Sequence, residues 1–175
     1  MNVIFRATRE FIEHARVDLV RAHPFADERV AFISVRAAQA GGSLVILAES
    51  YHPVADEDYI DDDTVGAMMN QDAIRKALNL ALLHPVGVFH IHMHDHVGVP
   101  EFSRTDVREQ RKFVPDFFKV RRDMPHGALV LSKDRLAGSV WLAPLIVTGF
   151  DEYHVVGSPS VIDIVRTRDE GVQRR

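Results

Sequence analysis

The segment Val86-Gly87-Val88-Phe89-His90-Ile91-His92-Met93-His94-Asp95-His96 constrains this chain more than any other. Apolar residues lead into histidines at every second position. Side chains on an extended strand alternate between its faces, so His90, His92, His94 and His96 point the same way for as long as the strand continues. A lone histidine on an apolar face is usually a hydrogen-bonded core residue, but four in this pattern are hard to satisfy as neutral core groups. Adjacent members can instead share one metal ion. The bland alternative is a solvent-facing edge-strand tract that holds metal only adventitiously. The chain has no cysteine, so histidine must carry any soft-metal chemistry, and neither disulfides nor thiolate nucleophiles are available.

Zinc binds imidazole nitrogen at about 2.0–2.1 Å, and a catalytic zinc keeps three protein ligands and one open position. Two strand histidines therefore need a third ligand. A loop through Gly98 and Pro100 returns the chain to Ser103 and Asp106, at the start of a helix expected from about Asp106 to Phe113. Aspartate and serine at a helix start are ordinary capping residues, but the histidine context favours Asp106 as the third ligand. Hydrolysis also needs a base outside the coordination shell, commonly a glutamate. Glu28, Glu49 and Glu101 lie near strands or in the loop, and composition does not choose between them.

The rest of the chain reads as one α/β domain. Thr8 is the expected N-cap of a first helix, with Phe11, Ile12, Ala15, Leu19 and Val20 at helical spacing up to His23-Pro24. Arg29 to Val35 and Ser43 to Ala48 form a hairpin around Gly41-Gly42. The acidic stretch Asp56 to Asp63 reads as an exposed loop, and Ala73, Ile74, Ala77, Leu78, Ala81 and Leu82 mark a second helix from Asn70 to His84-Pro85. Ala128 to Ser132 and Ser139 to Ala143 make a second hairpin, followed by short strands at Leu145 to Val147 and Tyr153 to Val156. Residues 161–175 are expected to be a weakly ordered C-terminal tail.

With 46% hydrophobic and 26% charged residues in 175, a single core is expected. A net charge of −4 without a basic stripe argues against nucleic acid as the main partner. No signal peptide and no apolar run of about 18 residues stands out, so neither export nor a membrane span is expected and the cytoplasm is the expected compartment.

At this point the residues resemble the JAB/MPN family, whose JAMM metalloproteases carry a glutamate early in the domain, then H-x-H, seven residues, S, two residues, D. Val86 to His92 looks like the family's strand, and Ser103-Arg104-Thr105-Asp106 looks like its S-x-x-D. The order of helix, glutamate, hairpin, helix, histidine strand, serine loop and helix is similar over roughly residues 8 to 145. The resemblance implies a single JAB/MPN-like domain over 1–160, with a mixed, mostly antiparallel sheet flanked by helices in cytidine-deaminase-like layering. It implies Glu28 as the catalytic base, Ser103 as a donor to the tetrahedral oxyanion, and Asp106 with two histidines on Zn2+. The chain departs from the pattern in spacing: eight residues (95–102) separate His94 from Ser103, ten (93–102) separate His92 from it, and six (97–102) separate His96. One inserted residue makes His92 with His94 the preferred pair, while Val-Gly-x-x-His-x-His favours His90 with His92.

The implied activity is a zinc isopeptidase, deubiquitinase-like, that cleaves after the C-terminal tail of a ubiquitin-like or sulfur-carrier protein, with E1-like or E2-like proteins as a further partner class. Two rivals stand beside it. Two histidines and a carboxylate also suit a non-haem iron oxygenase, although such a site does not require Ser103-x-x-Asp106. A non-catalytic MPN-like scaffold would use the same fold only to bind partners.

Overall fold

The computed structural model describes residues 1–24, 26–62, 66–157 and 161–166. Strand β1 (Asn2–Thr8) leads directly into helix α1 (Arg9–Leu19), and Thr8 caps it by accepting from the Phe11 N–H at 3.1 Å. Strands β2 (Val30–Ala40) and β3 (Ser43–Pro53) form the expected hairpin. Gly41 and Gly42 have φ of 58° and 80°, as a two-residue type I′ turn requires at both central positions. Both strands run longer than their apolar cores predict.

Two short strands, β4 (Tyr59–Ile60) and β5 (Met68–Met69), pair with each other ahead of α2 (Gln71–Leu83), which Asn70 caps. Strand β6 (Gly87–Met93) carries His90 and His92, with His94 and His96 just past its end, and α3 (Arg104–Val120) follows. The remaining strands are β7 (His126–Leu131), β8 (Leu136–Ala143), β9 (Ile146–Gly149), β10 (Glu152–Gly157) and β11 (Val161–Arg166).

Nine strands form one mixed sheet in the order β11-β10-β1-β3-β2-β6-β7-β8-β9. The β1–β10, β1–β3 and β6–β7 pairs are parallel and the other five are antiparallel, so the α/β class and the mostly antiparallel sheet hold. Helix α1 buries Ile12, Ala15 and Leu19 on one face, against Phe5, Ile33, Phe89 and Ile91. On the other face α2 presents Ala73, Ala77 and Ala81, and α3 presents Val114, Phe117 and Phe118, against Phe32 and Val88. Alanines four residues apart form a flat stripe that lets α2 lie close to the sheet. No helix among the described residues is long and apolar enough to cross a membrane.

Two expectations need correction. The acidic stretch is not simply exposed: Asp56–Asp58 is a turn of 3-10 helix, and Asp58 is buried and paired with Lys76. The third helix runs past Phe113 and through Pro115 to Val120, because Val114, Phe117 and Phe118 extend its buried face. Residues 161–166, at the start of the expected C-terminal tail, pair with β10. Residues 167–175 of that expected tail, and Asp63 of the acidic stretch, lie outside the described residues.

His126 ties the third helix to the histidine strand. Its Nδ1 accepts the Val88 N–H at 3.1 Å and its Nε2–H donates to the Arg121 carbonyl at 2.9 Å. One partner can only donate and the other can only accept, so the neutral tautomer is fixed. The ring also stacks on Phe117 at 5.3 Å. Burial pushes the His126 pKa down to about 4. The unfolded chain, at about 6.5, therefore binds the proton first, and stability falls as pH drops from about 6.5 towards 4. The contribution at stake is about 3 kcal/mol. Urea unfolding of His126→Gln between pH 7 and pH 4 is expected to show an acid loss smaller than wild type by roughly that amount; an unchanged pH dependence would remove His126 from the effect.

Candidate metal centre

In the antiparallel β2–β6 ladder Val30 lies opposite His92 and Phe32 opposite His90. Continuing that register two residues past the strand end sets Glu28 beside His94, and His94 Nε2 lies 4.0 Å from Glu28 Oε1. His92 Nε2 and His94 Nε2 are 3.2 Å apart. Donor atoms of Glu28, His92 and His94 all fall within 4.8 Å of one another. From the far side, Asp106 Oδ2 approaches His92 Nε2 to 3.6 Å.

The four histidines do not share one environment. Strand β6 ends at Met93, and the His94 N–H donates to the Leu131 carbonyl as the chain turns away. His96 is exposed, with Nδ1 3.1 Å from the Val97 carbonyl. His90 is buried among aromatic rings, with centroids 5.7 Å from Phe32 and 5.6 Å from Phe113. Burial, reinforced by His92, drives its pKa down to about 3. Burial likewise lowers the His94 pKa, again helped by His92. Both effects favour the neutral imidazoles that can ligate a metal.

Ser103 and Asp106 arrive at the start of α3 through a loop anchored to the β7–β8 turn. Gly98, at φ 101°, donates its N–H to Asp134 Oδ1 at 2.7 Å, and the Ser132 hydroxyl donates to the Gly98 carbonyl at 2.7 Å. Ser103 and Asp106 then form a reciprocal cap: Ser103 Oγ accepts the Asp106 N–H at 3.1 Å, and Asp106 Oδ2 accepts the Ser103 N–H at 2.7 Å. Capping and site-building are thus performed by the same atoms. Burial alone would raise the Asp106 pKa, but His92 and the bonds from Ser103 outweigh it and hold the carboxyl below its usual range. The Ser103 hydroxyl accepts in the cap and keeps its own proton to donate.

Glu28 is placed by backbone pairing of its N–H with the Gly66 carbonyl at 2.9 Å. A Cβ at Gly66 would sit 3.0 Å from Glu28 Cδ and Oε2, so glycine there lets the carboxylate lie close to the chain. The other two candidate glutamates are elsewhere. Glu49 pairs with Arg36, Glu101 is exposed in the loop, and neither lines the cleft.

These groups surround a cleft of about 340 Å³. Two ligands on a tetrahedral ion with bonds of about 2.0–2.1 Å stand roughly 3.3–3.4 Å apart. The His92–His94 and His92–Asp106 separations of 3.2 and 3.6 Å bracket that value, whereas the His94–Glu28 separation of 4.0 Å exceeds it. Glu28, His92 and His94 could together hold a metal ion, and Asp106 approaches this group at His92. Residues that the sequence did not single out also line the cleft, among them Val30, Met69, Gln110 and Phe113. For two of these a signal existed: Gln110 and Phe113 follow Asp106 at helical spacings of four and seven and fall on its face.

Calorimetric titration of divalent zinc or cobalt into metal-free protein is expected to give one site per chain. His92→Ala should weaken that binding by more than about 100-fold, while His96→Ala should leave it intact. Equal losses in both variants would instead indicate adventitious binding along an exposed tract. Comparison with known proteins yields no match to a family model and none to a curated protein.

Proposed function

We propose that this chain is a zinc-dependent amide hydrolase of the JAB/MPN type, acting as an isopeptidase or peptidase on the C-terminal tail of a ubiquitin-like or sulfur-carrier protein. One observation carries the reading. Three segments distant in sequence, around Glu28, His92–His94 and Ser103–Asp106, converge on one cleft that brings two imidazoles and two carboxylates together. In this reading His92, His94 and Asp106 hold the metal and Glu28 stays outside the shell.

Bound zinc would supply Lewis acidity, lowering the pKa of an attacking water and polarising the scissile carbonyl. Glu28, at the mouth of the cleft, would take the proton from that water and return it to the leaving amine. The Ser103 hydroxyl would donate to the oxygen on which negative charge develops, and its use in the helix cap holds it in place for that purpose. The order of elements from α1 to α3 supports the family assignment, and the substrate class and the E1-like or E2-like partners rest on the family resemblance alone.

Zinc-loaded protein is to be incubated with ubiquitin-like domains fused through their C-terminal tails to a reporter. Glu28→Gln is expected to lower cleavage by about 10²–10⁴-fold while keeping one zinc per chain. Ser103→Ala is expected to lower it about 10²–10³-fold, with about 1 kcal/mol of stability lost from the cap. Asp106→Asn should lose zinc affinity where Glu28→Gln does not; the reverse pattern would exchange their roles. Stoichiometric iron with oxygen uptake, or full cleavage by Glu28→Gln, would sink the proposal.

A further inference from the structure

The two imidazoles at the centre are held in different ways. His92 lies within β6, paired with Val30 on one side and Val130 on the other, and Asp106 lies in the capped first turn of α3. His94 follows the last residue of β6, so neither a strand ladder nor a helix fixes its backbone. Its Nε2 nevertheless stands 3.2 Å from that of His92, and the pair can chelate one ion only while that separation is kept. The position of His94 therefore depends on whatever fixes the loop after it.

That loop is fixed by the turn between β7 and β8, residues 132–135. The His94 N–H donates to the carbonyl of Leu131, the last residue of β7, and the Lys133 N–H donates back to the His96 carbonyl, both at 2.9 Å. Between these bonds the His96 N–H closes on the His94 carbonyl at 2.9 Å. Two residues further on, Gly98 is gripped at both of its backbone groups: Asp134 Oδ1 accepts its N–H and the Ser132 hydroxyl donates to its carbonyl, each at 2.7 Å. Ser132 is fully buried, and its Oγ also accepts the Arg135 N–H at 2.9 Å, which closes the turn. The Gly98 N–H holds the Asp134 carboxyl below its usual range, so the acceptor is the charged and stronger one. From α1, Arg16 donates to the Ser132 and Arg135 carbonyls at 3.1 and 3.3 Å.

The ion pair in the same turn contributes less. Lys133 and Asp95 meet at 2.7 Å, but their side chains are 52% and 83% exposed, and exposed pairs add little. The grip on Gly98 is the specific one, because its φ of 101° commits the backbone there to a conformation that other residues rarely adopt. We propose that Ser132 and Asp134 are positioning residues for His94: by fixing Gly98 they hold the loop that carries His94, and thereby set how tightly the centre binds its metal. The inference rests on the metal centre, where His94 is a donor beside His92 whichever carboxylate joins them, and is independent of the cleavage reaction.

Zinc affinity is to be measured by competition with a chelator, alongside the unfolding midpoints of the metal-free proteins. Asp134→Ala and Ser132→Ala should bind zinc about 10–100-fold more weakly than wild type, still at one ion per chain. Asp134→Asn, which keeps the accepting oxygen, should restore most of the affinity, and Lys133→Ala should match wild type. Gly98→Ala disturbs the loop without touching the turn. Nothing lies within 4 Å of the added methyl group, so the comparable loss expected there comes from backbone conformation alone. A general structural role is separated by NMR of metal-free protein labelled at histidine: Asp134→Ala should displace the His94 ring signals and leave those of His92 and His126 in place. Unchanged zinc affinity in both turn alanine variants, a loss in Lys133→Ala as large as in Asp134→Ala, or equal displacement of all three histidines would overturn the proposal. If an alanine variant does not fold, Gly98→Ala and Asp134→Asn decide: the first must lose affinity and the second must keep it. A wild-type chain that binds no zinc rejects the metal centre and this inference with it, whereas equal binding by wild type and variants rejects the inference alone.

Discussion

The pairing of Val30 with His92 is the constraint on which the rest of the site depends. In an antiparallel ladder one register fixes every opposed pair, so the same alignment puts His90 against Phe32 and brings Glu28 to His94. A slip of one residue would turn His90 and His92 towards α1 and send Phe89 and Ile91 to the α3 side. Both faces of β6 are buried, with Phe89 and Ile91 in one core and Val88 in the other. Hydrophobic burial therefore locks the register, and the imidazoles inherit their positions from residues that have no chemistry of their own.

The second positioning element is α3, held at both ends. At its start Ser103 and Asp106 cap each other, and at its end the Arg121 carbonyl is held by His126, which also grips β6 through Val88. A helix fixed in this way presents Asp106, Gln110 and Phe113 in successive turns along the His92–His90 axis. Capping and metal binding need not compete for Asp106, because a carboxylate has lone pairs for both a backbone N–H and a second partner.

Much of this was legible in local pattern. The 3.6-residue spacing of Ile12, Ala15 and Leu19 and of Ala73, Ala77 and Ala81 located two helices, and Gly41-Gly42 located the hairpin. The alternating histidines and Ser103-x-x-Asp106 identified the residues that the fold brings together. Spacing alone left the histidine pair open. The close Nε2 approach of His92 and His94, with His90 set between Phe32 and Phe113 and His96 exposed, follows from where β6 ends, which depends on pairing with β7 rather than on the histidines. Strand β1 was not legible as a strand, since its partners β3 and β10 are distant in sequence. The burial of Asp58 depends on Lys76 across a loop, and the continuation of α3 through Pro115 depends on the sheet it covers. Gln110 was passed over for a simpler reason: its helical spacing of four from Asp106 says nothing about a site until a cleft is known to adjoin that face.

Strand β1 also sets an order of events during synthesis. Its residues pair with Ser43 to Leu47 on one side and with Glu152 to Val156 on the other. The first partner leaves the ribosome soon after β1 does, whereas the second follows about 110 residues later, on the order of ten seconds at ordinary elongation rates. Until then the strand bearing Val3 and Phe5 has an open hydrogen-bonding edge, the kind of surface that recruits other chains. Every residue of the candidate metal centre precedes the second of those partners. The centre can therefore assemble while that edge is still open, and closing the edge, rather than forming the site, is the late and aggregation-exposed step in making this protein.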